Sequence, residues 1–228
     1  MDALILAGGD IGSRAALDDT WPGWDDGVGV VIAADGGARH AIELGVRIDR
    51  WVGDGDSVAA RDLDALIAAG VPSERTKPDK DESDTELAVV AAIGLGATGI
   101  VVVGALGGPR IDHSLANIGL LFMPALDGRT LTIIDPGARI RAATAPGPDG
   151  GSVRVPLPGR VGDSVSLLPW GDGVDGVTTN GLRYPLADEP LPPGPARGLS
   201  NVRIATDAEI ELLRGRLLIV ESPATLSR

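Results

Sequence analysis

Val28-Gly-Val-Val-Ile-Ala-Ala-Asp35-Gly-Gly-Ala38-Arg-His-Ala-Ile-Glu-Leu-Gly45 is the stretch from which the fold can be read. Residues 28–34 form an apolar, β-branched run of strand length. Residues 38–44 have helical character, and Gly45 sits where a left-handed C-cap belongs. Between strand and helix lie an acid and two glycines. The same order recurs downstream, with Trp51-Val52 leading into Gly53-Asp54-Gly-Asp56-Ser57 and residues 100–106 leading into Gly107-Gly-Pro-Arg110-Ile-Asp112-His113. A further acidic run, Lys80-Asp81-Glu82-Ser83-Asp84, precedes another helical stretch. In a parallel α/β sheet, the loops at the carboxyl ends of the strands gather at one edge and form the ligand crevice. Carboxylates converging there repel one another unless a cation lies between them. Mg²⁺ with a polyphosphate suits such a site, because this ion takes oxygen ligands from carboxylates and substrate phosphates. The pattern points to phosphoryl transfer.

Composition sets the bounds. At 228 residues the chain fits one large domain or two small ones. A 43% hydrophobic content allows a sizeable core, and 3% aromatic content makes that core one of Ala, Val, Leu and Ile. The net charge of −12 argues against a nucleic-acid partner, whose backbone demands a basic face. It leaves room for ATP, whose charge a metal and one or two basic residues neutralise locally. Without cysteine there are no disulfides, zinc thiolates or cysteine nucleophiles. The amino terminus lacks the basic and apolar regions of a signal peptide, and no run approaches the ~18 apolar residues of a membrane span. A cytoplasmic protein is expected.

The first ~125 residues alternate strand and helix, the pattern of a parallel α/β sheet. Strands are expected at residues 3–7, 28–34, 49–53 and 100–105, and helices at 38–44, 58–69 and 114–122. Ser83-Asp-Thr-Glu86 has capping-box spacing ahead of the apolar run 87–93, which predicts another helix. After Pro124 helical periodicity fades. Short β-type runs at 130–134, 153–155, 164–168, 174–178 and 217–220 alternate with Gly/Pro turns, the texture of an antiparallel sandwich. A boundary near residues 126–129 therefore divides an α/β domain, 1–127, from a β-sandwich domain, 128–228. Residues 187–198 read as a long surface loop.

Asp54 and Asp56, separated by one glycine, face a single cation if the backbone turns between them. As a bland turn, the same residues only cap a helix. Asp81 and Asp84 suit a first helical turn through the macrodipole, and they also project toward the crevice edge. Backbone amides and Arg110 at the start of the helix after residue 105 suit a phosphate. Asp112 there reads equally as an N-cap, and His113 as a packed or capping histidine. Leu6-Ala-Gly-Gly9 with Arg14 superficially resembles the glycine-rich start of sugar nucleotidyltransferases, without the basic residues expected after it. The chain has no Gly-x-x-x-x-Gly-Lys-Ser/Thr, so it is not a P-loop kinase.

Taken in order, Ala34-Asp35-Gly-Gly-Ala38, Gly53-Asp-Gly-Asp-Ser57, Lys80-Asp-Glu-Ser-Asp84, Gly107 to His113 with Asn117, Gly181-Leu-Arg-Tyr184 and Ser200-Asn201 resemble the thiamine pyrophosphokinase (thiamine diphosphokinase) family. The resemblance implies a nucleotide-binding α/β domain, a C-terminal β-sandwich and a homodimer with active sites shared across its interface. It implies transfer of the diphosphoryl group of ATP to the thiamine hydroxyl. Asp54, Asp56 and Asp84 are the expected Mg²⁺-site residues, with Asp81 of second rank. Lys80 and Arg110 are expected to neutralise phosphate, and Asp112 to orient Arg110 or touch nucleotide. Gly36, Gly37 and His113 complete the nucleotide side. By the same resemblance Asp35 lies near the reacting end, while Tyr184, Ser200 and Asn201 hold thiamine, with cation–π attraction available at Tyr184. The family commonly has a bulky residue at the position of Gly55 and an indole at that of Tyr184.

Three other readings compete: a diphosphokinase of the same fold acting on another small alcohol such as a hydroxymethylpterin, a non-catalytic homologue, and a sugar nucleotidyltransferase. Gly181 to Tyr184 and Ser200-Asn201 favour thiamine. The intact acids and Arg110 favour catalysis.

Overall fold

The computed structural model describes residues 1–77, 79–147 and 149–227. The chain divides into two compact units, the first being Met1–Pro136 and the second starting at Gly137. In the first unit the elements run β1 (Asp2–Leu6), α1 (Arg14–Thr20), β2 (Val28–Ala34), α2 (His40–Leu44), β3 (Arg50–Gly53), α3 (Ala60–Ala68), β4 (Ser73–Arg75), α4 (Asp84–Gly94), β5 (Gly99–Val103), α5 (Ile111–Gly119) and β6 (Thr130–Asp135). Its strands lie in the order β4-β3-β2-β1-β5-β6, and every neighbouring pair is parallel. Residues 3–6 of β1 are wholly buried, as expected when both faces of a parallel sheet are covered. On one face Leu4, Leu6, Val31, Ala33 and Trp51 pack with Leu17, Trp21, Leu44 and Leu63. Towards β1, β2 and β3, α4 brings its buried Ala88, Val89 and Ala92. Successive strands move one way from β1 to β4, and the chain then returns to place β5 on the other side of β1. That reversal, between β1 and β5, is the topological switch point where open α/β sheets bind ligands.

The second unit is antiparallel, with β7 (Ala138–Ala145), β8 (Val153–Pro158), β9 (Ser164–Asn180), β10 (Glu189–Leu191), β11 (Asn201–Val202), β12 (Asp207–Leu212) and β13 (Arg214–Ser222). β13 pairs with β7 and with the first part of β9; β12 pairs with β8 and with the end of β9. The long β9 thus serves both layers of a sandwich. Leu217 and Ile219 of β13, Val165 and Leu167 of β9, and Ile210 and Leu212 of β12 share its core.

Three expectations change. Residues 130–134 belong to the parallel sheet, paired with β5 from Gly99↔Thr130 to Val102↔Ile133, so the division falls after Pro136 and not near residue 127. Runs 164–168 and 174–178 are one strand, because Gly171 and Gly173 take positive φ and let β9 bulge opposite Gly215 without ending. Within 187–198, β10 pairs with β9, so part of that stretch is sheet. No helix is long and apolar enough to cross a membrane among the described residues.

Candidate active site

Asp35 organises the acidic side of the site. It follows β2 at the head of a 3₁₀ turn, Asp35–Arg39, is 3% exposed, and has φ +42°, a conformation uncommon outside glycine. One carboxylate oxygen accepts the Gly55 N–H and the other the Ser57 N–H, each at 3.0 Å. Its carbonyl accepts the indole N–H of Trp51 at 3.1 Å. These bonds tie the loop after β2 to the loop after β3. The approach is close enough that a Cβ on Gly53 would meet Asp35 Cβ at 2.7 Å. Gly55, where the family commonly has a bulky residue, turns at φ +88°, so a side chain there is strained.

The result is a group of three carboxylates, Asp35, Asp54 and Asp56, whose ligand atoms lie within 4.8 Å of one another. Asp54 accepts the Asp56 N–H at 2.9 Å and Asp56 accepts the Ser57 hydroxyl at 2.7 Å, each through one oxygen only among the described residues. Burial pushes the Asp35 carboxyl up, and the nearby charges of Asp84 and Asp54 add to this against the opposing N–H bonds of Ser57 and Gly55. Such an arrangement favours an added cation.

The opposite side is built from glycine loops at the switch point. Gly9 N–H donates to Gly104 O at 2.7 Å, joining the loop after β1 to the loop after β5. Asp10 accepts the Gly108 N–H at 3.2 Å, and Asn117 of α5 donates to Ala105 O at 2.8 Å. Arg110 grips Asp112 through two parallel bonds, Nε to Oδ1 at 2.9 Å and Nη2 to Oδ2 at 2.5 Å. The hydrogen bond from Arg110 pulls the Asp112 carboxyl down to about 2. Asp112 lies in the first turn of α5, whose N-cap is Arg110, so of its expected roles the orientation of Arg110 is the one seen. The two sides enclose a cleft of about 770 Å³.

Asp35, Gly36, Asp54, Asp56, Lys80, Asp84, Arg110, Asp112 and His113 all line this cleft. Gly37 does not; it is buried against the Leu6 carbonyl, where a Cβ has no room, and serves packing. Asp84 stands apart from the three-carboxylate group, because its oxygen holds Lys80 Nζ at 2.5 Å while Thr76 accepts the same Nζ at 2.7 Å. Ser83 caps α4 by accepting the Glu86 N–H at 3.1 Å, as its spacing predicts, and this fixes Asp84 at the cleft edge. Asp81 is exposed and outside the lining, where Glu82 appears instead. Gly8, Gly9, Arg39 and Glu82 are cleft residues to which the sequence reading gave no role in the site. A glycine pair directly after the first strand was the available signal for two of them.

In the second unit, Tyr184 is 56% exposed and Ser200, at φ +56°, is also exposed. Asn201 is buried. Its Oδ1 accepts the Tyr184 N–H at 2.9 Å and its Nδ2 donates to Tyr184 O at 2.7 Å, so it pins the Tyr184 segment to β11.

A parallel sheet with an acid-and-glycine cleft at its switch point, joined in sequence to an antiparallel sandwich, defines a class of α/β phosphoryl-transfer enzymes. Residues 25–133 match the sequence model for the thiamin pyrophosphokinase catalytic domain, and residues 152–217 that for the thiamin pyrophosphokinase vitamin B1 binding domain. The chain belongs to the thiamin pyrophosphokinase family. It is 24% identical over 200 residues to the thiamine pyrophosphokinase of Bacillus subtilis, covering 88% of this chain and 90% of that one. Its fold matches the crystal structure of the B. subtilis protein with a TM-score of 0.80 at 23% identity, covering 97% and 99% of the two chains. The thiamin pyrophosphokinase of Geobacillus thermodenitrificans matches with a TM-score of 0.78 at 27% identity, covering 98% of each.

Proposed function

We propose that this enzyme transfers the diphosphoryl group of ATP to the hydroxyl of thiamine, giving thiamine diphosphate and AMP. The observation that carries the reading is the group of Asp35, Asp54 and Asp56 facing glycine loops at the switch point, in a chain whose two family matches are the catalytic and vitamin-binding domains of one enzyme. The hydroxyl oxygen forms a bond to the β-phosphorus as the bond from that phosphorus to the bridging α,β-oxygen breaks. The hydroxyl proton is lost, and AMP leaves with the bridging electron pair. Alignment and charge neutralisation dominate such chemistry.

The acidic group fits Mg²⁺. Its donors are hard carboxylate oxygens, and Asp54 and Asp56 each keep one oxygen free of protein hydrogen bonds among the described residues. Asp54, Asp56 and Asp35 are the residues proposed to hold the ion, with Asp84 behind them. When bound, Mg²⁺ supplies neutralisation of phosphoryl charge. Arg110, oriented by Asp112, contacts the polyphosphate, and Lys80 offers a second cation at the cleft edge. Tyr184 and Ser200 are proposed to hold thiamine, with Asn201 shaping their segment. The assembly proposed is a homodimer with shared sites, located in the cytoplasm with its ATP.

The test is incubation of the purified protein with ATP, Mg²⁺ and thiamine. Equal amounts of AMP and thiamine diphosphate are expected, and little or none when a hydroxymethylpterin replaces thiamine. No AMP with thiamine would overturn the reading.

A further inference from the structure

The three cations of the cleft are not equivalent. Lys80 is bound by Asp84 and Arg110 by Asp112, so each already faces a carboxylate. Arg39 lines the same cleft without a carboxylate partner among the described residues. Its Nη1 donates to Gly36 O at 3.0 Å, and its Nη2 donates to Gly8 O and, at 3.1 Å, to Gly9 O. His40 Nε2 meets the same Gly9 carbonyl at 2.8 Å. A guanidinium has five N–H groups. Three are used on these carbonyls, leaving Nε–H and one Nη1–H without a protein acceptor among the described residues.

The charge balance makes this arrangement informative. Six carboxylates line the cleft (Asp35, Asp54, Asp56, Glu82, Asp84 and Asp112) against three cations. At the floor of the cleft, the carbonyls of Gly8, Gly9 and Gly36 would add partial negative charge against an incoming phosphate. A fixed guanidinium on that floor reverses the local sign. Gly8 leaves room for a ligand to approach, since a Cβ there would have nothing within 4 Å. Arg39 is also held in place before any ligand arrives, which lowers the ordering cost of binding.

We propose that Arg39 is a polyphosphate-binding residue, which neutralises the phosphates of ATP where the Asp35–Arg39 turn meets the Gly8-Gly9 loop. This deepens the reading of the chain as an ATP-dependent diphosphotransferase and rests on it. Lysine can supply the charge but not the fork that spans the three carbonyls.

The experiment measures binding of ATP with Mg²⁺, and separately of adenosine, to the wild type, Arg39→Gln and Arg39→Lys by titration calorimetry, with steady-state kinetics alongside. Glutamine keeps donors for the carbonyls and removes the charge. Arg39→Gln is expected to weaken ATP binding roughly tenfold or more, about 1.4 kcal/mol, and to leave adenosine binding unchanged. The KM for ATP should rise in step while the KM for thiamine holds, and Arg39→Lys should recover part of the loss. Unchanged ATP affinity and KM in Arg39→Gln would overturn the proposal. So would equal losses for ATP and adenosine, or a matching rise in both KM values, because these are the marks of a residue that only orders the loops. A wild type that binds ATP yet forms no AMP with thiamine would sink the transfer reading while leaving the ATP-against-adenosine comparison to judge Arg39.

Discussion

Asp56 projects from a glycine turn that Asp35 holds from below, so its carboxylate can be removed without loosening the loop. Asp56→Asn should keep the fold and lower turnover by about three orders of magnitude, the scale expected when metal-assisted charge stabilisation is lost. Steady-state rates beside an unchanged circular dichroism spectrum check this, and activity within about tenfold of wild type would remove Asp56 from the site. Glu221 is the opposite kind of acid, wholly buried in the sandwich. It accepts from Arg139 at 2.8 and 2.9 Å, from Arg141 at 2.9 Å and from Arg203 at 2.7 Å. Burial works to raise its pKa, but the Arg139 hydrogen bonds and the charges of Arg141, Arg139 and Arg203 outweigh it and hold the carboxyl below its ordinary value. A depressed carboxyl contributes stability above its unfolded pKa and loses it as pH falls through the folded value. Glu221→Gln strands three guanidinium groups and should cost about 3–5 kcal/mol at neutral pH. The urea midpoint should drop accordingly, and the gap to wild type should narrow on acidification below the ordinary glutamate range. An unchanged midpoint would show that the arginines find other partners.

At the scale of elements, local chemistry was legible wherever a helix start or an alternating run acted alone. The β2 run, the Gly45 cap and the Ser83 capping spacing all appear in the structure as the sequence implies. Ser83→Ala should destabilise α4 by about 1 kcal/mol. Amide exchange at Glu86, whose N–H now donates to Ser83, should quicken about fivefold; unchanged exchange would mean the cap contributes nothing. What stayed hidden was pairing. An apolar run at 130–134 reads the same whether it closes a parallel sheet or opens a sandwich, since strand periodicity says nothing of the partner. Likewise Pro169-Trp-Gly-Asp-Gly173 has turn composition, yet β13 lies alongside and carries β9 through it.

For the whole molecule, the proposed assembly is a homodimer in which the vitamin-binding unit meets chemistry built on the catalytic one. If sites are shared across a homodimer, Tyr184→Ala should weaken thiamine binding far more than ATP binding. Mixed with Asp56→Asn, it should recover part of the activity, because a C₂ heterodimer carries one site free of both lesions. Turnover after subunit exchange checks this; no recovery despite confirmed heterodimers, or a fully active monomer, contradicts shared sites. The sequence by itself determined the α/β class, the acidic loops after the strands, the sandwich that follows and the candidate residues from Asp35 to Asn201. Each is written in a short window, as periodicity, capping or a loop motif, and local rules suffice to read it. Only the tertiary structure decided that Asp35 joins Asp54 and Asp56 while Asp84 turns to Lys80. It also decided that Gly37 packs while Gly8 and Gly9 line the cleft, and that Arg39 is the cation left without a carboxylate among the described residues. These outcomes depend on which strands become neighbours and on which donors reach an acceptor first. The gathering of Asp35 with Asp54 and Asp56, and of Arg39 with the Gly8-Gly9 loop, joins residues far apart in the chain that no local window contains. Lys80 and Asp84 share one window, but the carboxylate group that competes for Asp84 lies outside it.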